Sequence, residues 1–155
     1  MGRVCAALIA AAAVLIAPPG AAWGAWTTSV SMYSDPGDFI GDGEQRVWHP
    51  GNSTEIRGIA DGDGVNAWAD FGPEQYSFMF APPRGQALEP RNYLLAQRLA
   101  FRADGHPGLD VEGMSRACNE LDGRFELLDV AIAPDGSVER LWAIYEQHCE
   151  FATAA

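Results

Sequence analysis

Residues 118–149, CNELDGRFELLDVAIAPDGSVERLWAIYEQHC, predict one long β-hairpin with a cysteine at each end. Both halves are rich in valine, isoleucine, leucine and aromatic residues, which fit a pleated and half-buried surface. Residues 134–137 (PDGS) lie between the halves and are of the types that tight turns prefer. We therefore expect two long strands that pair through a turn at 134–137.

Residues 1–24 have the pattern of an export signal peptide. Arg3 supplies a positive start, residues 4–17 (VCAALIAAAAVLIA) are apolar without interruption, and a Pro-Pro-Gly sequence follows. Small residues surround a cleavage site between Gly24 and Ala25. As a helix, the 14 apolar residues reach roughly 21 Å, short of the ~30 Å hydrocarbon core of a bilayer. We therefore expect a cleaved leader in preference to a membrane anchor.

The two cysteines that follow the leader, Cys118 and Cys149, are predicted to form a disulfide. Paired cysteines in exported proteins are usually oxidised, and closing a loop of about 32 residues stabilises a fold by roughly 3.7 kcal/mol on the chain-entropy model. The alternative is a reactive or metal-bound thiol beside His148. Neighbouring residues on a strand point to opposite faces, which disfavours that alternative. The disulfide predicts a periplasmic or extracellular location.

The charge of the chain limits the classes of partner. The formal net charge is −11, and loss of Arg3 with the leader lowers it to −12. The chain contains no lysine and no cluster of arginines. Such a charge repels nucleic acid and anionic lipid head groups. We expect no nucleic-acid partner and no stable membrane insertion after the leader is removed.

Short alternating apolar segments, separated by turn residues, run through the first half of the mature chain. Tyr76, Phe78 and Phe80, for example, alternate with Ser77 and Met79. This spacing predicts an all-β fold, an antiparallel β-sandwich or flattened barrel, in a single domain over residues 25–155. The predicted strands cover residues 27–34, 44–49, 54–60, 65–71 and 76–80.

Two segments in the middle of the chain are less regular. Residues 91–101 (RNYLLAQRLAF) contain good helix formers, so that a short helix near 91–100 competes with a strand. We favour the strand because the surrounding segments are all β. Residues 103–115 carry three glycines and a proline and predict a long surface loop.

The closing hairpin contains a change of phase. Phe125 and Leu127 share one face of the strand, whereas Leu128 and Val130 occupy the other. A β-bulge near Leu127 and Leu128 would bring both sets to one core, and a strand buried on both faces is the alternative. We expect this hairpin at the centre of the sheet, with Trp142 in the core.

Several phrases together resemble a recurring, uncharacterised module of exported bacterial proteins. In that module a PGD-(aromatic)-I-G loop opens the domain and a QHCE-like strand closes it. The resemblance spans nearly the whole mature chain and implies a β-sandwich-like fold and export, but no activity. The phrases are YSDPGDFIG at 33–41, GLD at 108–110, CNELDGRF at 118–125, GSVER at 136–140 and EQHCE at 146–150.

Aromatic residues supply the first set of candidate binding residues. Exposed tryptophans beside polar groups stack on sugar rings in many β-sandwich modules. Trp48 and His49, near a Pro-Gly turn, and Trp68, in a predicted strand, are the best candidates here. The alternative is that the tryptophans simply pack the core.

A second candidate site is the glycine-rich loop that contains Asp35, Asp38 and Asp42. Calcium takes six to eight oxygen ligands, and loop carboxylates and carbonyls can supply them. The spacing matches no EF-hand, and aspartate is also an ordinary turn residue beside proline and glycine. Calcium is therefore the only cofactor that the sequence suggests.

A catalytic site receives less support. His49, His106 and His148 lie outside any nucleophile or zinc motif. We expect His148 to be a structural residue that pairs with Glu146 on the same strand face. The sequence thus predicts an exported, non-catalytic module that binds a glycan or an envelope protein. A small exported hydrolase that uses histidine and aspartate residues is the alternative.

Overall fold

The computed structural model describes residues 28–51 and 55–151, so the predicted leader and its cleavage site lie outside the described residues. The described part contains nine strands and a single 3-10 turn at Leu99–Phe101. None of its helical segments has the length and apolar character needed to cross a bilayer. The strands are β1 (Val30–Tyr33), β2 (Gln45–Trp48), β3 (Glu55–Asp61), β4 (Gly64–Phe71), β5 (Glu74–Ala81), β6 (Asn92–Arg98), β7 (Gly108–Gly113), β8 (Leu121–Ile132) and β9 (Val138–Cys149).

The all-β fold class is confirmed, and seven of these strands form one nearly closed sheet. Their order is β3-β4-β5-β7-β6-β8-β9. The first and last strands meet at one end, where Ile59 forms an antiparallel bridge with Ser137 and the Ala60 N–H donates to the Gly136 carbonyl at 2.8 Å. The pairing is antiparallel except between β6 and β7, which run parallel over two residue pairs. The flattened-barrel version of the prediction describes this arrangement best.

The remaining strands, β1 and β2, form a separate two-stranded sheet that packs against the core of the large sheet. Trp48, at the end of β2, is 3% exposed and lies against the rings of Tyr76 and Phe78, with centroid distances of 5.1 and 6.2 Å. Arg46 on the same strand forms an ion pair with Glu74. The small sheet therefore covers the core and is held there by an aromatic side chain and an ion pair.

The core is built from the inward faces of alternating strands, as the sequence predicts. Tyr76, Phe78 and Phe80 are buried on β5, and the polar or smaller residues between them are not. Opposite them, Phe125 stacks on Tyr93 with a centroid distance of 4.5 Å and an interplanar angle of 15°. Offset aromatic pairs of this kind add stabilisation beyond the apolar area that they bury.

The closing hairpin forms as predicted, with its turn at residues 133–137 and a β-bulge at Leu128. Pairing passes from Leu127 with Ala143 directly to Asp129 with Trp142, which leaves Leu128 without a partner residue. Cys118 and Cys149 form the expected disulfide, with their Cα atoms 5.1 Å apart.

Two details of the hairpin prediction are wrong. The hairpin does not lie at the centre of the sheet, because β9 is the last strand. It adjoins β3 through a short seam, which consists of the Ile59–Ser137 bridge and the Ala60–Gly136 hydrogen bond. Trp142 is 55% exposed and not in the core. On β9, the alternate residues Leu141, Ala143 and Tyr145 pack against the core, so that Trp142 faces outward.

The middle of the chain contains one confirmed prediction and one error. Residues 92–98 form strand β6, and the helical tendency is limited to the 3-10 turn that follows. The predicted surface loop at 103–115 instead contains β7, a buried strand between β5 and β6. Its glycines are required by packing, because a Cβ atom at Gly108 would collide with Leu99 and one at Gly113 with the ring of Tyr76.

Candidate functional site

The burial of Trp48 corrects its assignment as an exposed binding residue. A ring that is packed between Tyr76 and Phe78 cannot stack on a ligand. His49, which follows it, is exposed, and its Nδ1 atom accepts a hydrogen bond from the Gly51 N–H at 3.1 Å. The two neighbours that sequence reasoning grouped together therefore lie in different environments.

Trp68 lies in a row of four residues across the outer face of the sheet. The register aligns Arg57 on β3 with Trp68 on β4, Ser77 on β5 and Glu112 on β7. Residues that are directly opposite on neighbouring strands have Cβ atoms about 4.5–5.5 Å apart, so these side chains are adjacent. The alternation that buries Phe78 and Val111 places this row on the opposite face.

The row borders a groove of about 460 Å³, which we call the Trp68 groove. Trp68 is partly exposed, and the Arg57 guanidinium lies over its ring at 4.9 Å from the centroid, which fixes the orientation of the indole. The groove is lined by Trp68, Pro73, Gln75, Ser77, Glu112, Gly113, Met114, Ser115, Arg116 and Ala117.

One end of the groove is formed by a tight turn after β7. The Gly113 N–H donates to the Arg116 carbonyl at 3.0 Å, and the Arg116 N–H donates back to the Gly113 carbonyl at 2.8 Å. The two residues between them, Met114 and Ser115, have φ angles of 54° and 62°. Two consecutive positive φ angles are typical of a type I′ turn, which glycine and asparagine usually occupy. The turn presents the Met114 side chain to solvent.

Some of the polar side chains that line the Trp68 groove form hydrogen bonds within the described part of the protein, whereas others do not. Gln75 donates to the Asp70 carboxylate at 3.1 Å, and Arg116 donates to the Phe39 carbonyl at 3.2 Å. The side chains of Ser77 and Glu112 make no hydrogen bond or ion pair with any residue in the described part of the chain. The groove thus places an aromatic ring beside a hydroxyl and a carboxylate that are available to a ligand.

Asp38 has a structural role in its loop. Its Oδ1 atom accepts hydrogen bonds from the N–H groups of Ile40 and Gly41 at 2.9 and 2.6 Å, and its carbonyl accepts one from Asp42. Gly41 has no space for a Cβ atom, because Ser34 lies directly against it. Aspartate and glycine in this phrase are therefore explained by the geometry of the loop.

The three aspartates of this loop do not converge on one point. Within residues 28–51 and 55–151, no three side chains of histidine, cysteine, aspartate or glutamate are arranged to hold a metal ion. Asp42 is instead directed toward Arg116, with 3.9 Å between the charged groups. Among the described residues, the loop therefore contains no cluster of ligands for the calcium site that was predicted at Asp35, Asp38 and Asp42.

A second pocket, of about 370 Å³, lies between the Asp38 loop and the C-terminal half of β9. The expected pair is present, since the His148 Nε2–H donates to Glu146 at 2.9 Å. Arg124 also donates to Glu146 at 2.7 Å, and these hydrogen bonds, first that from His148, lower the pKa of the Glu146 carboxyl. Glu146 and His148, which β9 contributes to this pocket, are therefore engaged with each other.

Tyr145 borders the same pocket and carries a hydroxyl that is buried without a hydrogen-bond partner among the described residues. Its ring packs near Phe78 and Phe80. Burial and, secondarily, the negative charge of Asp38 raise the pKa of this phenol above its ordinary range. The hydroxyl therefore stays protonated near neutral pH.

No family model, curated protein or solved structure matches the chain. The described residues also form an apolar groove that contains His106.

His106 and His148 each form a hydrogen bond with a carbonyl or carboxylate oxygen. The His106 Nδ1–H donates to the Leu95 carbonyl at 3.0 Å, and His148 donates to the Glu146 carboxylate. Glu120 and Asp122 border the same open groove as His106, but its hydrogen-bond partner is the carbonyl. Among the described residues, the hydrogen bonds of His106 and His148 go to oxygens that are not nucleophiles, so these two histidines provide no nucleophile–base pair for the hydrolase alternative.

Sequence reasoning missed the two available polar residues of the Trp68 groove. The alternation of β5 carried a signal for Ser77, because it has the opposite phase to Phe78. Glu112 had no such signal, since its strand was predicted to be a loop. Neither residue could be connected with Trp68 before the register of three strands was known.

Proposed function

We propose that the protein is an exported, non-catalytic binding module that recognises a glycan in the Trp68 groove. The observation that carries the proposal is the row formed by Trp68, Ser77 and Glu112. An indole packs against the apolar face of a sugar ring, while the hydroxyl and the carboxylate accept hydrogen bonds from sugar hydroxyls. Each of the three groups thus has a counterpart on a sugar.

The size and charge of the groove narrow the class of glycan. Three residues in neighbouring strands span roughly 10 Å, twice the spacing between strands, which suits a short oligosaccharide. The volume of about 460 Å³ falls within the range of small-molecule sites. Glu112 and the acidic chain disfavour sulfated or carboxylated sugars, so the ligand is a neutral or amino sugar.

The number and accessibility of the carboxyl groups in the groove favour binding over hydrolysis. Glycoside hydrolysis usually requires two carboxyl groups that flank the scissile bond. Glu112 is the acid among the described residues that line the groove. The next acid on its strand, Asp110, is 4% exposed and accepts a hydrogen bond from the Leu99 N–H. Asp110 is therefore not accessible as a second catalytic carboxyl group.

Export is supported by two independent features. The disulfide between Cys118 and Cys149 is compatible with an oxidising compartment, and the first 24 residues have the pattern of a signal peptide. An extracellular or periplasmic module would meet cell-surface glycans directly.

A glycan array probed with the purified protein tests the proposal. We expect retention of neutral or amino-sugar glycans, loss of binding in Trp68→Ala and at least tenfold weaker binding in Glu112→Gln. Trp142→Ala is the matched control, because Trp142 is also solvent-exposed but lies outside the groove. Absence of any retained glycan, or equal loss in the control, would overturn the proposal. Addition or chelation of calcium is expected to change nothing.

A further inference from the structure

An apolar groove of about 610 Å³ lies apart from the Trp68 groove, between β6 and the disulfide-linked ends of β8 and β9. We call it the Leu95 groove. Three large apolar side chains project from its walls and remain exposed, Leu95 and Phe101 by 73% and Phe151 by 59%. The groove is lined by Leu95, Ala96, Gln97, Arg98, Phe101, His106, Asn119, Glu120, Leu121, Asp122 and Phe151. Exposed apolar surface that is gathered in a concave site is typical of an interaction surface.

Leu95 is held in a backbone conformation that leucine rarely adopts. Its φ angle is 56°, and it lies where the pairing of β6 with β8 is interrupted between Tyr93 and Ala96. His106 fixes this conformation, since its Nδ1–H donates to the Leu95 carbonyl at 3.0 Å. Glycine or asparagine would adopt the same angle with less strain. Folding alone therefore does not explain a leucine here.

Phe151, on the opposite wall of the groove, likewise combines an exposed apolar side chain with a positive φ angle. Glu150 and Phe151 have φ angles of 53° and 56° directly after the disulfide-bonded Cys149. The Glu150 carboxylate accepts hydrogen bonds from the backbone N–H and the side-chain amide of Asn119, at 2.9 and 3.2 Å. Two residues in a strained backbone conformation thus contribute apolar side chains to one groove. Strain of this kind is concentrated at functional sites.

The rim of the groove is negatively charged. Glu120 and Asp122 are exposed, and neither forms an ion pair with another residue of the described ranges. The arginine in the groove does not neutralise them, because Arg98 lies over the Phe101 ring at 5.0 Å and donates to the Asn119 carbonyl at 3.2 Å. An occupant that buries the three apolar side chains would also meet two unpaired carboxylates.

We propose that the Leu95 groove binds a segment of a partner protein in which apolar side chains stand next to lysine or arginine. The apolar side chains would cover Leu95, Phe101 and Phe151, and the basic groups would pair with Glu120 and Asp122. Apolar anchors at the centre and complementary charges at the rim are the general pattern of protein interfaces. No residue of this groove lines the Trp68 groove, so the inference stands independently of the proposed glycan function.

A displayed library of random 12-residue peptides, selected on the purified protein, provides the test. We expect enrichment of peptides that combine aromatic or aliphatic residues with lysine or arginine. Leu95→Asn should weaken binding of the selected peptides at least tenfold. The matched control is Leu94→Asn, because Leu94 is the preceding residue and is 61% exposed but does not line the groove. Equal effects of the two substitutions would overturn the proposal.

Charge is tested separately with the double variant Glu120→Gln and Asp122→Asn. This double variant should weaken binding of the selected peptides at least tenfold and make that binding less sensitive to salt. The control substitution Glu139→Gln on β9 should change neither the affinity nor its dependence on salt. Selection of acidic or uncharged polar peptides would contradict the proposal. Two further outcomes would overturn it: a self-associated protein that Leu95→Asn converts to monomer, or Leu95-dependent binding to phosphatidylglycerol vesicles. Glycan binding should survive Leu95→Asn, which separates failure of this inference from failure of the proposed function.

Discussion

The side chain of Gln147 on β9 forms two hydrogen bonds with the backbone of Val111 on β7. The Val111 N–H donates to Oε1 at 2.7 Å, and Nε2 donates to the Val111 carbonyl at 2.9 Å. Strand β6 pairs with β7 only at Gly108 and Leu109, and the Gln147 amide occupies the position that a neighbouring strand would otherwise take farther along β7. The amide also donates to the sulfur of Cys118 at 3.3 Å, which joins this contact to the disulfide.

Replacement of Gln147 by leucine is therefore expected to destabilise the protein strongly. Two buried backbone groups would lose their partners, and each unsatisfied group costs about 1–3 kcal/mol, so we expect a loss of roughly 2–6 kcal/mol in the free energy of unfolding. Urea denaturation measures this loss. Gln45→Leu is the control, because the Gln45 amide donates to the exposed Tyr33 hydroxyl, and its cost should stay below about 0.5 kcal/mol. Similar costs for the two variants would contradict the structural role of Gln147.

Two tyrosines allow a comparison of a satisfied with an unsatisfied hydroxyl. The Tyr93 hydroxyl accepts from the Glu89 N–H at 3.0 Å and donates to the Glu89 carbonyl at 2.9 Å, whereas the Tyr145 hydroxyl is buried without a partner among the described residues. We expect Tyr93→Phe to cost about 1–2 kcal/mol of unfolding free energy and Tyr145→Phe to be neutral or slightly stabilising. Thermal unfolding of both variants measures the difference. A larger loss in Tyr145→Phe would show that its hydroxyl has a partner.

The buried carboxyl group of Asp110 should make the stability of the protein depend on pH. Burial, followed by the nearby charge of Glu112, raises the pKa of Asp110 to about 6, against the opposing effects of Arg98 and the Leu99 N–H. Because the folded-state pKa exceeds the unfolded value, ionisation costs stability above pH 6, and the cost disappears as the pH falls toward 4. After allowance for solvent screening, we expect about 1–2 kcal/mol from this group.

Asp110→Asn isolates the contribution of this carboxyl group. The amide oxygen can still accept from the Leu99 N–H, so the variant should be more stable than the parent at pH 7 and should lose this advantage near pH 4. Urea unfolding at a series of pH values between 4 and 7.5 measures the difference. A stability difference that does not vary with pH would contradict a raised pKa.

The disulfide gives a prediction that does not depend on any ligand. Non-reducing mass spectrometry should find the mature chain two hydrogens lighter than its thiol form, with Cys118 and Cys149 in one linked peptide. Replacement of both cysteines by serine should lower the free energy of unfolding by about 2–4 kcal/mol. Detection of Cys118 and Cys149 as free thiols in the purified protein would refute the oxidised form.

Local patterns were sufficient to predict much of the scaffold. The turn at 133–137, the bulge at Leu128 and the partnership of His148 with Glu146 depend on neighbouring residues or on one strand pair. Alternation of period two predicts which face of a strand is buried, and it correctly placed Phe78 and Phe80 in the core. These features need no knowledge of the rest of the fold.

The errors concern contacts between residues far apart in sequence. Gly108 and Gly113 indicated a loop, but the structure requires them for the close approach of Leu99 and Tyr76 to strand β7. The predicted environments of Trp48 and Trp142 were the reverse of the observed ones. Trp48 is covered by β5, and Trp142 faces solvent on the last strand. The Trp68 groove, likewise, requires the register of three strands, which no local pattern supplies.

The seam between β3 and β9 has a consequence for incomplete chains. A chain truncated before β9 would expose the whole outer edge of β8, in addition to the edge of β3 that is covered only at Ile59 and Ala60. Exposed strand edges are templates for intermolecular pairing. Until β9 is added, the long strand β8 therefore has an unpaired edge that favours aggregation, and pairing with β9 removes that edge.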